Sequence, residues 1–295
     1  MNKKFTVIGI GEILWDVFPH NKKLGGATAN FAYHISAMGH NGIIVSRIGD
    51  DALGKEILDE LSSKNLNTDF IQKDKINPTG TVKVIIDKNN QPDYIIKQDV
   101  AWDFIEWQDI KNNLYKSVDA ICFGTIGQRS AVSRETIQRT VKEFSDFAEV
   151  VFDINLRQNY YDAVLINDSL NLATILKLND HELEIVKNLF QINPKYDNEK
   201  SCRILLDKYN LKLISLTLGE EGSMLINEDS TYRGEIIEYK LADRVGAGDA
   251  FTAAMTIEFL KGSSLKEISS AANKLASWVT SKEGGMPDYE GNPLI

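Results

Sequence analysis

Arg244-Val245-Gly246-Ala247-Gly248-Asp249-Ala250-Phe251 is a glycine-rich turn that runs directly into a helix-like segment, Ala250 to Lys261. Two glycines around one alanine leave the backbone uncrowded, so a charged group can approach it closely. The first amides of the following helix have no partner inside the helix, and the helix dipole adds partial positive charge there. The stretch therefore predicts an anion-binding turn of the kind that holds phosphate.

The carboxylate in this turn, Asp249, has two interpretations. It could simply cap the helix, as aspartate often does at this position. It could also act as a general base beside a phosphate group undergoing transfer. The turn alone does not separate them, so the choice depends on the rest of the chain.

The bulk properties favour a globular α/β protein. A chain of 295 residues with 43% hydrophobic residues can bury a full core as one large domain, with or without a small appendage. The net charge of −9 argues against non-specific nucleic-acid binding. Two widely separated cysteines suit a reducing cytosol. Without a signal peptide or an apolar run near membrane-spanning length, we expect a cytoplasmic protein that binds no membrane.

Strands and helices alternate along the chain, which predicts a mostly parallel sheet covered by helices on both faces. Predicted strands are Phe5–Ile10, Gly42–Ile48, Ala120–Gly124, Val150–Ile154, Ile175–Leu178, Lys212–Leu218 and Gly222–Ile226. Predicted helices are Ala29–Met38, Ser133–Phe147, His181–Phe190, Glu199–Tyr209, Ala250–Lys261 and Leu265–Ser281. A further predicted helix is capped by Asp51 and runs to about Lys64. An alternating pair, Thr79–Asp87 and Asp93–Lys97, predicts an antiparallel hairpin standing off the main sheet, such as a lid.

Two familiar nucleotide motifs are only partly present. Gly9-Ile10-Gly11 begins like a dinucleotide fingerprint, but Leu14 stands where the third glycine belongs. Gly49–Glu56 resembles a P-loop, but Glu56 replaces the hydroxyl residue that holds magnesium. By contrast, Gly25-Gly26-Ala27-Thr28-Ala29-Asn30 opens an apolar helix, so Asn30 would face a ligand there or act only as a cap.

Five segments in order resemble the ribokinase-like (PfkB) carbohydrate kinases, and the resemblance covers nearly the whole chain. They are Gly25–Ala32 with Gly39, Asp153-Ile154-Asn155-Leu156-Arg157, Asn179-Asp180-His181-Glu182, Thr217–Gly222 and Asp243–Phe251. The resemblance implies one Rossmann-like, ribokinase-like domain over residues 1–295. It also implies a small β lid formed from about 12–34 and 79–105.

The resemblance implies an ATP-dependent sugar kinase in which Asp249 accepts the proton of the sugar hydroxyl. The helix terminus should favour its ionised form, making it a weak base at rest. The amides of Gly246, Ala247 and Gly248 would form the anion hole. The sugar would contact Asp16, Gly25, Gly26, Asn30 and Arg157. The nucleotide would contact Thr217, Gly219 and Gly222, with Asn273 and Ser277 near the adenine. Asn179 and Glu182 would position Mg²⁺ and phosphate through water. Asp243, with carbonyls near Val245 and Gly284, would hold a monovalent cation such as K⁺.

The identity of the sugar is less constrained. Gly11–Phe18, the Gly-Gly-Ala segment and Gly284-Gly285-Met286-Pro287 look most like the fructokinase branch, which implies fructose phosphorylated at the 6-hydroxyl. Arg244 instead resembles the 2-keto-3-deoxygluconate kinases, where it could pair with a substrate carboxylate. It could equally reach the ATP phosphates or point to solvent, and ribose and nucleosides remain alternatives.

Two alternative functional classes and one oligomeric state also follow from the sequence. A non-catalytic sugar- or nucleotide-binding protein could share the fold, although the base and the Gly-Ala-Gly turn are both intact. A dinucleotide-dependent oxidoreductase would need the glycine fingerprint that the chain lacks. By resemblance, a homodimer is expected through the lid, whose strands carry apolar residues: Val82, Val84, Ile86, Tyr94 and Ile96.

Overall fold

The computed structural model describes residues 3–86, 92–107, 118–235, 237, 240–292 and 294. The strands are β1 (Thr6–Ile10), β2 (Leu14–Val17), β3 (Lys22–Gly25), β4 (Asn41–Gly49), β5 (Ile71–Asp74), β6 (Gly80–Ile86), β7 (Pro92–Ile96), β8 (Ala120–Phe123), β9 (Glu149–Asp153), β10 (Ile175–Asn179), β11 (Leu213–Thr217), β12 (Ser223–Ile226) and β13 (Thr231–Gly234). The helices are α1 (Ala27–Ala37), α2 (Ala52–Ser63), α3 (Ala131–Phe144), α4 (Ala163–Leu172), α5 (Asp180–Leu189), α6 (Asn198–Tyr209), α7 (Ala247–Leu260) and α8 (Leu265–Thr280).

A nine-stranded sheet forms the body of the protein, in the order β13-β12-β11-β10-β9-β8-β1-β4-β5. All neighbours from β11 to β5 pair in parallel, whereas β12 and β13 are antiparallel. The mostly parallel sheet predicted from the sequence is therefore confirmed. Parallel strands end at one edge of the sheet, which is where open α/β folds bind ligands.

A second sheet of four strands, in the order β3-β2-β6-β7, stands apart from the first. The predicted hairpin corresponds to β6 and β7, with residues 87–91 outside the described part of the chain. β2 joins β6 in parallel and β3 antiparallel, a pairing that the sequence did not predict. Of the predicted lid range, residues 27–34 lie in α1, which packs against β1 and β4 of the large sheet.

The large sheet carries a separate apolar core on each face. One core contains the stacked rings of Phe123 and Phe152 beneath α3 to α6. The other lies under α1, α7 and α8 and contains Phe31 and Phe251. Every residue of α7 from Ala250 to Ile257 is buried, as expected for a helix that is apolar on all sides. This burial fixes the start of α7 firmly against the sheet.

Candidate active site

The turn that precedes α7 depends on glycine at position 246. Gly246 is the N-cap of α7 with φ of 78°, in the left-handed region, and its carbonyl accepts the first intrahelical bond from the amide of Ala250 (2.9 Å). A Cβ atom there would lie 2.5 Å from the Cα of Gly285. Both the conformation and the contact exclude a side chain. No side chain caps this helix start, so binding of an anion by its first amides stays a prediction.

Asp249 lies in the first turn of α7 and is held by Asn30 from α1. The Asn30 Nδ2 donates a hydrogen bond to the Asp249 Oδ2 at 2.7 Å. Asn30 is 3% exposed, and its buried Oδ1 finds no partner among the described residues, although Gly285 approaches it closely. Since buried polar atoms are normally hydrogen-bonded, this Oδ1 is suited to accept from a bound ligand. The amide thus fixes one carboxylate oxygen and leaves the other for a substrate.

The electrostatics of Asp249 differ from the sequence-based expectation. Burial and the nearby negative charge of Asp153 raise the pKa of Asp249 from 3.8 to about 6, against the lowering effects of Asn30, Lys177 and Arg157. The prediction that the helix terminus favours the ionised form of Asp249, making it a weak base at rest, is therefore wrong. Desolvation outweighs the helix terminus, because it penalises the charged form directly. A carboxylate with a pKa near 6 is a better proton acceptor near neutral pH.

A buried ion pair that the sequence analysis missed lies directly below the turn. The Lys177 Nζ lies 3.0 Å from the Asp153 Oδ1, and both side chains are 9% exposed. The Thr252 hydroxyl donates to the other oxygen of Asp153 (2.8 Å). A Cβ on Gly248 would lie 3.2 Å from the Lys177 Nζ, so the ammonium supports the anion-binding turn from beneath. The signal was available, because a lysine in the middle of the apolar strand β10 needs a buried partner.

A further carboxyl group, that of Asp16, faces the same region, which we call the sugar-side cleft, between β2 and the start of α7. Burial raises the pKa of Asp16 to about 6, and the charges of Asp243 and Asp249 raise it further while Arg157 and Lys23 lower it. Gly25 leaves room for this carboxylate, since a Cβ there would lie 2.5 Å from the Asp16 Oδ2. Arg157 is exposed, yet its charge reaches Asp16 and Asp249. The predicted sugar-side residues are thus brought together.

Asn179 and Glu182 form a reciprocal capping box at the start of α5. The Asn179 Oδ1 accepts from the Glu182 amide, and the Glu182 Oε2 accepts from the Asn179 amide, both at 2.8 Å. The Glu182 Oε1 accepts from the amide of Leu156 at 2.9 Å. Each carboxylate oxygen keeps one lone pair, which suits a bond to metal-bound water. No group of three or more metal-ligating side chains occurs in the described ranges. Binding of Mg²⁺ through water at Asn179 and Glu182 stays a prediction.

The predicted nucleotide-side residues lie at the far end of β11 and on α8. Thr217 ends β11, and Gly219 and Gly222 adopt φ of 57° and 85° in the turn that follows. Asn273 is buried, and its Nδ2 donates to the hydroxyls of Ser223 (2.8 Å) and Ser269 (3.1 Å). Ser277 lies one turn further along α8 and is also buried. Contacts of Asn273 and Ser277 with adenine stay a prediction.

Arg244 lies on this nucleotide side. Its Nη2 lies 3.3 Å from the Glu220 Oε1, and the two side chains are 70% and 86% exposed. Glu220 belongs to the turn between Gly219 and Gly222. Of the three alternatives for Arg244, the structure shows a side chain exposed to solvent, beside the turn predicted to bind nucleotide.

Asp243 is surrounded by hydrogen-bond donors. Its Oδ1 accepts from the amide of Val245 (3.0 Å), and its Oδ2 accepts from the amide of Gly284 (3.1 Å) and from the Lys23 Nζ (3.1 Å). Burial alone would raise the pKa of Asp243, but these bonds and the charge of Lys23 lower it overall. A monovalent cation needs oxygen ligands, whereas the groups that meet Asp243 here are N–H donors. The predicted K⁺ site does not fit these residues.

Comparison with known proteins identifies the family of this chain. A family model described as pfkB family carbohydrate kinase matches residues 13–290. This chain belongs to the PfkB family of carbohydrate kinases. An uncharacterized sugar kinase from Pyrococcus horikoshii is 28% identical over 315 residues, covering 100% of this chain and 96% of that protein. Its crystal structure in complex with ATP has a TM-score of 0.83 at 27% identity, covering 95% of this chain and 94% of that one.

Two other comparisons concern named activities. "Probable fructokinase-2" from Arabidopsis thaliana is 25% identical over 312 residues, covering 97% of this chain and 93% of that protein. A fructokinase from Xylella fastidiosa with bound ATP has a TM-score of 0.85, covering 95% of this chain and 94% of its own; at 19% identity this shows a shared fold. Among the helices of the described residues, none has the length and apolar character needed to cross a bilayer.

Proposed function

We propose that this PfkB kinase transfers the γ-phosphate of ATP to a primary hydroxyl of a small sugar, with D-fructose to fructose 6-phosphate as the first choice. The observation that carries the proposal is the pairing of Asp249 with Asn30 beside the open amides of the α7 turn. One oxygen of Asp249 is fixed by Asn30, and the other can accept a proton from a sugar hydroxyl. The amides of Gly246, Ala247 and Gly248 would stabilise the negative charge on the oxygens of the transferred phosphoryl group.

The reaction then needs little covalent chemistry from the protein. As the sugar oxygen attacks the γ-phosphorus, its proton passes to Asp249, and ADP leaves with the electrons of the broken bond. The fixed amides stabilise the spread negative charge without reorganising. Lys177 adds a positive charge under Gly248 that Asp153 and Thr252 hold in place. Mg²⁺ would neutralise the nucleotide phosphates, with Asn179 and Glu182 contacting its water shell.

The choice of fructose rests on the sugar-side cleft and on the fructokinases among the relatives. Asp16 and the free Oδ1 of Asn30 are acceptors suited to neutral hydroxyl groups. Arg244 pairs with Glu220 beside the predicted nucleotide turn, which argues against a role for Arg244 in binding a substrate carboxylate. A 2-keto-3-deoxygluconate kinase is the second candidate, because Arg157 carries a guanidinium whose charge reaches the same cleft.

The proposal is tested by coupled ADP release with ATP, magnesium and a panel of fructose, 2-keto-3-deoxygluconate, ribose, tagatose and adenosine. Preferred turnover of fructose supports the first choice, and preferred turnover of the keto acid would transfer the role of carboxylate binding to Arg157. If no substrate gives ADP release while ATP still binds, the result would favour a non-catalytic binding protein. Absence of NAD binding in a titration would exclude the oxidoreductase alternative.

Replacement of the base separates catalysis from binding. We expect Asp249→Asn to lower turnover by roughly 10²–10⁴ while sugar binding, measured by calorimetry, persists. The matched control is Asp146→Asn, because Asp146 is an exposed aspartate just after α3; this variant should turn over normally. Near-normal turnover of Asp249→Asn would refute the assignment of the base.

We also propose a homodimer through the small sheet. Val82 and Ile96, two of the residues expected on its interface, are buried within their own chain, against Trp102 and Val100. Ile95 is 51% exposed and remains available for an interface. Light scattering coupled to gel filtration tests the proposal, and a monomer at micromolar concentration would contradict it.

A further inference from the structure

Lys23 links the small sheet to the loop that carries the anion-binding turn. It lies in β3, directly opposite Asp16 of β2, and its Nζ reaches the Asp243 Oδ2 at 3.1 Å. The two side chains are only 23% and 20% exposed, so water competes weakly with this ion pair. Residues 220 positions apart are thus held together by one ammonium group.

The stem of Lys23 packs against Gly284, since a Cβ on Gly284 would lie at the ordinary van der Waals distance of 3.5 Å from the Lys23 Cδ. The Lys23 Nζ also lies 5.6 Å from the centre of the Phe18 ring, and the Glu283 Oε2 is 3.8 Å away. Negative and aromatic groups therefore surround the ammonium.

The carboxylate of Asp243 has little capacity left for another cation. An ionised carboxylate offers about four lone-pair positions. The amides of Gly284 and Val245 and the Lys23 Nζ occupy three of them, including both on Oδ2. An alkali cation beside Asp243 would also lie close to the ammonium and be repelled by it.

We propose that the Lys23 ammonium acts as a built-in monovalent cation at Asp243, so that this kinase needs no free K⁺ for turnover. In this role Lys23 is a positioning residue. It neutralises Asp243, whose Oδ1 holds the amide of Val245 one residue before Gly246. The loop then keeps the conformation in which the amides of the α7 turn point at the transferring phosphoryl group.

The first test uses the unmodified protein and requires no variant. Turnover of the sugar found active above is measured in tetramethylammonium buffers at constant ionic strength, with K⁺, Na⁺ or NH₄⁺ added. We expect each cation to change turnover by less than about twofold. Activation of about fivefold or more by K⁺ but not by Na⁺ would overturn the proposal.

Lys23→Met should convert the protein into a cation-dependent enzyme. We expect turnover to fall about tenfold or more in tetramethylammonium and to recover with K⁺ or NH₄⁺. Lys23→Arg, which keeps the charge, should remain cation-independent. The matched control is Lys22→Met, because Lys22 precedes Lys23 in β3 but pairs with Glu56 instead. A Lys23→Met protein that stays inactive with every cation would overturn the proposal, since the lysine would then act on Asp16 or the sugar.

A second readout is independent of catalysis. Thallous ion, a spectroscopic substitute for K⁺, is titrated by ²⁰⁵Tl NMR against unmodified protein and Lys23→Met. We expect saturable binding, and a rise of melting temperature with K⁺, only in the variant, because a ligand stabilises the state that binds it. Binding by the unmodified protein would overturn the proposal. The turnover measurements rest on the proposed kinase activity, whereas thallous-ion binding and melting temperature can be measured even if no sugar is phosphorylated.

Discussion

Glu12→Gln should make the protein more stable above neutral pH and have a smaller effect near pH 5. Glu12 follows β1 and is 3% exposed; its Oε1 accepts from the amide of Ala27 at 2.8 Å. Its Oε2 is buried without a partner among the described residues. Burial raises the pKa of Glu12 from 4.5 to about 7, and the charge of Asp249 adds to this against the hydrogen bonds and Arg157. The ionised side chain is therefore destabilising in the folded state.

The sign and size follow from proton linkage. Because the folded-state pKa is the higher one, the folded state binds more protons between about pH 4.5 and 7, and stability falls as pH rises through that window. The two pKa values give a cost for Glu12 of about 1 kcal/mol at pH 5 and about 3 kcal/mol at pH 8. Glutamine cannot ionise and can keep the bond to Ala27. The stability difference between variant and unmodified protein should thus grow by about 2 kcal/mol from pH 5 to pH 8.

Urea denaturation of both proteins at the two pH values measures this difference, with fluorescence and circular dichroism checking for a single transition. Glu135→Gln is the matched control, since Glu135 is exposed on α3 and its replacement should shift stability equally at both pH values. A difference that changes by less than about 0.5 kcal/mol between the two pH values would refute the reasoning, because Glu12 would then ionise at the same pH folded and unfolded.

Three further predictions concern the site. The kcat/KM of the kinase should fall as pH drops through about 6, because Asp249 must be ionised to accept a proton; a profile flat down to about pH 5 would contradict this role. Lys177→Met should cost about 3–5 kcal/mol of unfolding free energy in urea titrations, since Asp153 would be left buried without its partner, and adding Asp153→Leu should recover much of the loss. Arg244→Ala should leave the KM for the sugar within about twofold, since its ion pair is exposed; a large rise would place Arg244 in the sugar site.

The main sheet could be predicted because its signals are local. Apolar runs followed by polar residues located β1, β4 and the strands from β8 to β12, and Asp51 capped α2 as expected, accepting from the Gly54 amide at 2.8 Å. The strands β2, β3, β5 and β13 were missed, because each is a short segment that contains a charged residue and depends on partners elsewhere in the chain. A fold of βαβ units tolerates such omissions, since its order follows from the long elements.

The candidate site was predictable in its residue types and less so in its electrostatics. The pairing of Asp249 with Asn30 joins two motifs that the sequence had already singled out. The raised pKa of Asp249 was not foreseen, because desolvation depends on what the fold packs around the carboxylate. Lys23 gave no local signal at all, since its partner lies 220 residues away. Long-range charge pairs are the part of a site that local sequence patterns do not encode.

The meeting of α1 with α7 has a consequence for synthesis on the ribosome. Phe31 and Ile35 of α1 share one core with Phe251 of α7, and Tyr33 and His34 bond to Pro287 and Tyr289 near the other end of the described chain. A nascent chain that has emerged only as far as β13 must therefore hold α1 with the surface that meets α7 uncovered. Such exposed surface favours aggregation and chaperone binding. More than two hundred residues are translated between α1 and α7, so the sugar-side cleft stays incomplete until α7 has emerged.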